Sequence, residues 1–237
     1  MAKHNVWMSV SDLMTGLMVI FLFVAIAYMI QVDENQSVLI EYVETKTKLH
    51  DKLVEAFAED TAKWQMQVGK DLSMKFNNPE VLFASGSYQI TDSFKIILDE
   101  FIPRYLGILL EDTSLHSKIR EIRIEGHTDN VPAPQFGDDP FMSNVKLSQL
   151  RSYSVLEYIK NMPSYQDYSD KQRTMLEFWF TSNGLSYGKS LDGEGYYTAL
   201  SGKTIDKDRS RRVEFRIVTT GDEVIENFVK ENGKWEK

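Results

Sequence analysis

Between Val6 and Ile30, 20 of 25 residues are apolar or aromatic, and among the others stands a single acid, Asp12. A helix needs roughly 20 residues to cross about 30 Å of hydrocarbon, so this stretch is long enough to span a membrane. The interruptions Ser9, Ser11, Asp12, Thr15 and Gly16 all precede the unbroken run from Leu17 to Ile30. Inserting a carboxylate at a helix centre costs about 2.5 to 3.5 kcal/mol, a cost that marks function. Ser9, Asp12 and Gly16 fall on one helical face by i, i+3, i+4 spacing, with Thr15 alongside. Partner helices can pack closely on such a stripe of small residues and shield the acid. The competing reading is a secretory signal peptide, with Lys3 as its basic start and Ala25-Ile26-Ala27 imitating a cleavage site. An apolar signal core gains nothing from a carboxylate, which favours a retained span. Lys3 before the span and Asp33 and Glu34 after it put the amino terminus in the cytoplasm.

The net charge of −8 argues against a phosphate-backbone binder, because nucleic-acid affinity needs clustered Lys and Arg. The chain of 237 residues has no cysteine, which excludes disulfides, Cys-ligated zinc and a lipidated amino-terminal Cys. The expected organisation is a tail and transmembrane helix over 1–30, a helical periplasmic connector over 31–71, a folded domain over 72–220 and a carboxy-terminal tail over 221–237. The connector is charged and lacks proline, with Leu39, Val43, Leu49, Leu53, Phe57 and Trp64 at loosely helical spacing. That pattern suits a solvated helical spacer or a dimerising helix equally. Beyond it, β-prone runs (72–76, 81–83, 121–125, 176–181 and 212–218) alternate with helical ones (92–110 and 147–161). The expected fold class is α+β, a small sheet with helices on one face. Ser182 to Lys203 reads as a long loop.

Two segments carry a family resemblance. Ile124-Glu125-Gly126-His127-Thr128-Asp129-Asn130 is followed by Asn144-x-x-Leu147-Ser148-x-x-Arg151-Ser152 and by Asp208-x-x-x-Arg212-Val213-Glu214. Together they resemble the OmpA-like peptidoglycan-binding domain over roughly 72–220. In that family the loop Asp and the helix Arg hold the ionised ends of the diaminopimelate residue of peptidoglycan. The resemblance transfers these roles to Asp129 and Arg151, with Asn144 as a supporting contact. The chemistry is sensible by itself, since a zwitterion needs one fixed anion and one forked cation, and guanidinium binds carboxylate bidentately. Taken singly, Asp129 reads as a loop cap and Arg151 as a surface ion pair. No ligand cluster for His127 is evident, so it reads as a structural hydrogen-bonding residue and no metal is expected. Arg211 and Arg212 read as structural, closing the sheet end.

The second segment is Trp7-x-x-x-Ser11-Asp12-Leu13-Met14-Thr15-Gly16-Leu17-Met18. Joined to a wall-binding domain, it is similar to the MotB subunits of flagellar stators and more closely to the ZorB subunits of Zorya anti-phage systems. The short amino-terminal tail and the stretch from Ser186 to Lys207 depart from the flagellar pattern. The resemblance implies a non-enzymatic inner-membrane motor subunit with its carboxy-terminal domain in the periplasm. It also implies a homodimer inside a ring of a polytopic ZorA-like partner. Asp12 would carry the transported ion, with Ser9, Thr15 and Gly16 supporting the site and no other cofactor. A buried Asp readily neutralises, which favours a proton over sodium. A flagellar stator subunit and a purely structural wall-anchored tether are the alternatives. An enzyme is not expected, because no motif places a nucleophile, a base and an orienting group.

Overall fold

The computed structural model describes residues 3–222, with side chains described over 7–31 and 40–222. The chain divides between Thr45 and Lys46 into two compact units. The expected carboxy-terminal tail lies, from 223 on, outside the described residues.

Helix α1 runs over Lys3–Phe57. Within it, Trp7–Gln31 is long and apolar enough to cross a membrane, and none of it is buried within the chain. At 1.5 Å per residue those 25 residues measure about 37 Å. Thr15 Oγ1 donates back to the Ser11 carbonyl at 2.8 Å, so the hydroxyl on the small-residue stripe is satisfied inside its own helix.

The second unit is built on one five-stranded sheet. Its strands are β1 (Met66–Val68), β2 (Ser73–Phe76), β3 (Ile119–Gly126), β4 (Phe180–Gly184) and β5 (Val213–Thr219), in the order β1-β2-β5-β3-β4. β3 and β4 are parallel, and the other pairs are antiparallel. The covering helices are α2 (Asp92–Glu111), α3 (Pro140–Asn161) and α4 (Asp170–Trp179). α2 starts where Thr91 Oγ1 accepts the Phe94 amide, and it buries Phe94, Leu98, Phe101, Ile102, Tyr105 and Leu109 along one stripe. Phe101 and Tyr105 meet Phe215 of β5 with ring centroids 5.1 and 6.0 Å apart. Alternation along β5 then decides its other face: Val213, Phe215 and Ile217 enter the core, while Glu214 and Arg216 point away. The architecture is the expected α+β sheet with helices on one face.

Several boundaries differ from the sequence expectation. Leu49, Leu53, Phe57 and Trp64 are not spacer positions but members of the hydrophobic core, at 0 to 3% exposure. Phe57 packs against Phe101 and under the Arg104 guanidinium. The folded unit therefore begins well before Leu72, and β1 lies inside the expected connector. The β-prone run 81–83 is largely a helical turn, Pro79–Leu82, because Asn78 caps the Val81 amide and Pro79 takes the first helical position. The expected strand 176–181 is shifted. Leu176 to Trp179 close helix α4, which Ser169 and Gln172 start with a reciprocal capping box, and the strand is Phe180–Gly184. The expected loop from Ser182 thus begins inside β4, and further on it is pinned by the bridges Leu191–Tyr197 and Asp192–Ile205.

Candidate functional site

Asp129 lies just past the end of β3, Asn144 in the first turns of α3, and Arg151 two turns further along the same helix. Gly126 and Gly184 set how near that helix comes. A Cβ on Gly126 would overlap the Ser148 carbonyl, and one on Gly184 would overlap the Gln149 backbone, so α3 lies directly against the ends of β3 and β4. Ser186, buried in the left-handed conformation at φ +52°, ties three parts together. Its amide donates to Ser148 Oγ, its hydroxyl to the Phe141 carbonyl, and its carbonyl accepts the Thr128 amide. The stretch that departs from the flagellar pattern thus begins by holding the site loop.

Asp129, Asn144 and Arg151 line one cavity of about 500 Å³, together with Phe83, Thr128 and Arg211. Arg151 is 7% exposed, and its Nε donates to the Ser87 carbonyl at 2.8 Å. Its guanidinium lies over the Phe83 ring at 4.9 Å. Burial pulls its pKa down to about 10, with Asp129 opposing and Arg211 adding to the fall, so the group stays charged at neutral pH. The Asn144 amide donates to the carbonyls of Val131 and Pro140 at 2.9 and 3.0 Å. The first of these bonds ties α3 to the loop that carries Asp129, and the second stays within α3, which begins at Pro140. Asp129 accepts the Val131 amide on Oδ1 at 2.9 Å and the Arg211 guanidinium on Oδ2 at 2.7 Å.

Arg211 was expected to be structural, yet it reaches into this cavity. Nothing local in the sequence announces a partner 82 residues away. Thr128 is the second residue the sequence missed. Its hydroxyl is buried in the cavity wall without a hydrogen-bond partner among the described residues.

Arg212 does close the sheet end. Fully buried, it bonds Glu214 Oε1 through Nε at 2.6 Å and donates to the Ser210 and Lys189 carbonyls. Glu214 stands opposite Glu125 in the β3–β5 register, a like-charge pair that would repel. Arg216 relieves it, at 2.9 Å from Glu214 Oε2 and 3.5 Å from Glu125 Oε1. His127 sits among them with both ring nitrogens outside hydrogen-bond geometry, Nε2 lying 3.5 Å from Glu125 and 3.6 Å from Glu214. Among the described residues its expected hydrogen-bonding role is met only by these long contacts, with Glu125 as the acceptor. Burial lowers its pKa, Arg212 adds to the fall, and the two carboxylates oppose it. By donor type Glu125, His127 and Glu214 could hold a metal ion, a cluster the sequence reading missed because Glu214 arrives on a distant strand. A divalent cation there would have to work against the two guanidiniums already bound.

No protein-family model matches the chain. It is 34% identical over 234 residues to Zorya protein ZorB of Escherichia coli strain Crooks, covering 95% of this chain and 92% of that protein. Two crystal structures of the periplasmic domain of Helicobacter pylori MotB, each 16% identical, cover 70% of this chain. They cover 87% and 97% of their own, with TM-scores of 0.39 and 0.40.

Proposed function

The chain belongs to the family of the Zorya protein ZorB, and from that premise we propose that it is a non-enzymatic, stator-type subunit of an ion-driven inner-membrane motor complex in anti-phage defence. In this reading Trp7–Gln31 spans the membrane with the amino terminus in the cytoplasm. Two copies stand inside a ring of a polytopic ZorA-type partner, and the unit from Lys46 onward grips peptidoglycan in the periplasm. Asp12 takes up and releases a proton, and the membrane potential supplies about 2.3 kcal/mol per charge per 100 mV. The change of charge on Asp12 alters how its helix packs against the ring, and wall anchoring turns that cycle into rotation of the partner.

The observation that carries the wall-binding half is the meeting in one cavity of Asp129, from the loop after β3, with Asn144 and Arg151, both from α3. The cavity offers a buried anion and a buried fork of donors, as a zwitterionic amino acid such as diaminopimelate requires. The test is pulldown of purified sacculi with the full chain in detergent. Wild type is expected to co-sediment, while Asp129→Ala and Arg151→Ala, each melting near wild type, are expected to stay in the supernatant. Wild-type co-sedimentation by both variants would overturn the site.

A further inference from the structure

We propose that Arg211 is an internal stand-in for the ligand's ammonium, so that the cavity admits a cation only when the same molecule also brings a carboxylate. The inference rests on the reading of Asp129 and Arg151 as the pair that holds ligand.

Neither oxygen of Asp129 is idle. Oδ1 accepts the Val131 amide, which fixes the loop, and Oδ2 accepts Arg211. Each oxygen thus has one acceptor site taken, and an ammonium closing on Oδ2 competes there with a guanidinium. Arg211 can yield that place, because its side chain is one-third exposed and its other terminal nitrogen bonds Asp208, whose carboxylate is 78% exposed. Asp129, at 7% side-chain exposure, cannot be left alone, since an unpaired buried carboxylate is strongly destabilising. The exchange thus runs in one direction: the cation on Asp129 changes, and Arg211 falls back on Asp208.

Three ligand types then behave differently. A plain amine breaks one charge-assisted pair to make one, and leaves Arg151 facing the cavity with the nearby carboxylate taken and Arg211 held only by Asp208. These two guanidiniums already oppose each other, Arg211 being one of the groups that weaken proton binding at Arg151. A plain carboxylate meets Arg151 without any exchange but leaves Asp129 to Arg211. A zwitterion does both at once, its ammonium replacing Arg211 on Asp129 and its carboxylate meeting Arg151 and the displaced Arg211. The ion pair between Arg211 and Asp129 is thereby a filter against lone amines, a task separate from the grip itself.

The test is calorimetric titration of the full chain in detergent with three molecules of one carbon-chain type: meso-diaminopimelate, cadaverine, which lacks the carboxylates, and pimelate, which lacks the amines. Wild type is expected to prefer diaminopimelate to either. Arg211→Gln is expected to narrow the preference over cadaverine by about tenfold, the worth of one charge-assisted hydrogen bond, mainly by admitting cadaverine. Arg211→Lys keeps a cation beside Asp129 and is expected to keep the preference. An unchanged preference in a folded Arg211→Gln variant overturns the filter. Should that variant fail to fold, Asp208→Asn at its exposed position decides. Removing the outer carboxylate is expected to weaken diaminopimelate binding, and unchanged binding overturns the proposal. If wild type does not bind diaminopimelate, or if Asp129→Ala and Arg151→Ala still bind it, the ligand site itself falls. Loss of binding in those two with an unchanged preference in Arg211→Gln sinks the filter alone.

Discussion

Replacing Gly126 by Ala tests how the candidate site is assembled, because this position sets the distance between the strand that leads to Asp129 and the helix that carries Arg151. An added methyl would overlap the Ser148 carbonyl, a backbone atom that cannot rotate away, so α3 must retreat by about 1 Å. Overpacking of this kind costs about 1–3 kcal/mol. The same retreat draws Asn144 from the Val131 carbonyl and Arg151 from the cavity, and a misplacement near 1 Å is enough to cost about a hundredfold in function. Gly107 supplies the control. It lies inside α2 with nothing within 4 Å of an added Cβ, so Gly107→Ala is expected to stabilise by about 0.5–1 kcal/mol. Urea denaturation of the full chain in detergent, followed by tryptophan fluorescence, gives both values, and sacculus pulldown gives the binding. Gly126→Ala is expected to lose stability and binding while Gly107→Ala keeps binding. A Gly126→Ala variant as stable as wild type and still bound to sacculi would refute the close-contact account.

Three further outcomes follow from other parts of the molecule. Phe57→Ala is expected to cost about 3–5 kcal/mol in the same urea titration, whereas Val43→Ala, at a position half exposed, stays within about 0.5 kcal/mol; equal small effects would return residues 49–64 to the status of spacer. Asp112 is held well below the usual carboxylate range, first by the hydrogen bond from Lys52 and then by Ser114. Its contribution is present above the ordinary value of 3.8 and is lost as pH falls through the depressed one, so wild type and Asp112→Asn are expected to differ in thermal stability at neutral pH and converge in acid. A gap that does not close on acidification would show that Asp112 acts by packing. Intact-mass measurement on the membrane fraction is expected to find the apolar helix retained, and a mature terminus at Tyr28 would sink the membrane reading.

What the sequence disclosed depended on the kind of signal. Period-two alternation exposed β3 through Ile122 and Ile124, and the motif around Asp129 with its matching helix brought Asn144 and Arg151 forward together. The run from Leu176 to Phe180 misled because its apolar residues suit either period; in the fold Leu176 and Trp179 are buried three apart while Phe178 is 74% exposed, a helical pattern. The capping pair Ser169 and Gln172 was the local sign of that helix. Leu49, Leu53 and Phe57 looked like a weak amphipathic stripe since the core they join, with Phe101 against Phe57, lies far along the chain. Arg211 was read as only structural for a like reason, and the Glu125–Glu214 pairing appears only once β3 and β5 are set in register.

The central claim is that Asp12 carries the driving ion, and Asp12→Asn addresses it most directly. The amide keeps shape and hydrogen bonding, removes the titratable charge and makes insertion easier. The measurement is phage protection in cells carrying the whole gene cluster, read beside co-purification of the ZorA-type partner. Lost protection with the partner retained is the predicted result. Full protection by Asp12→Asn would contradict the account and leave the protein a wall-anchored tether.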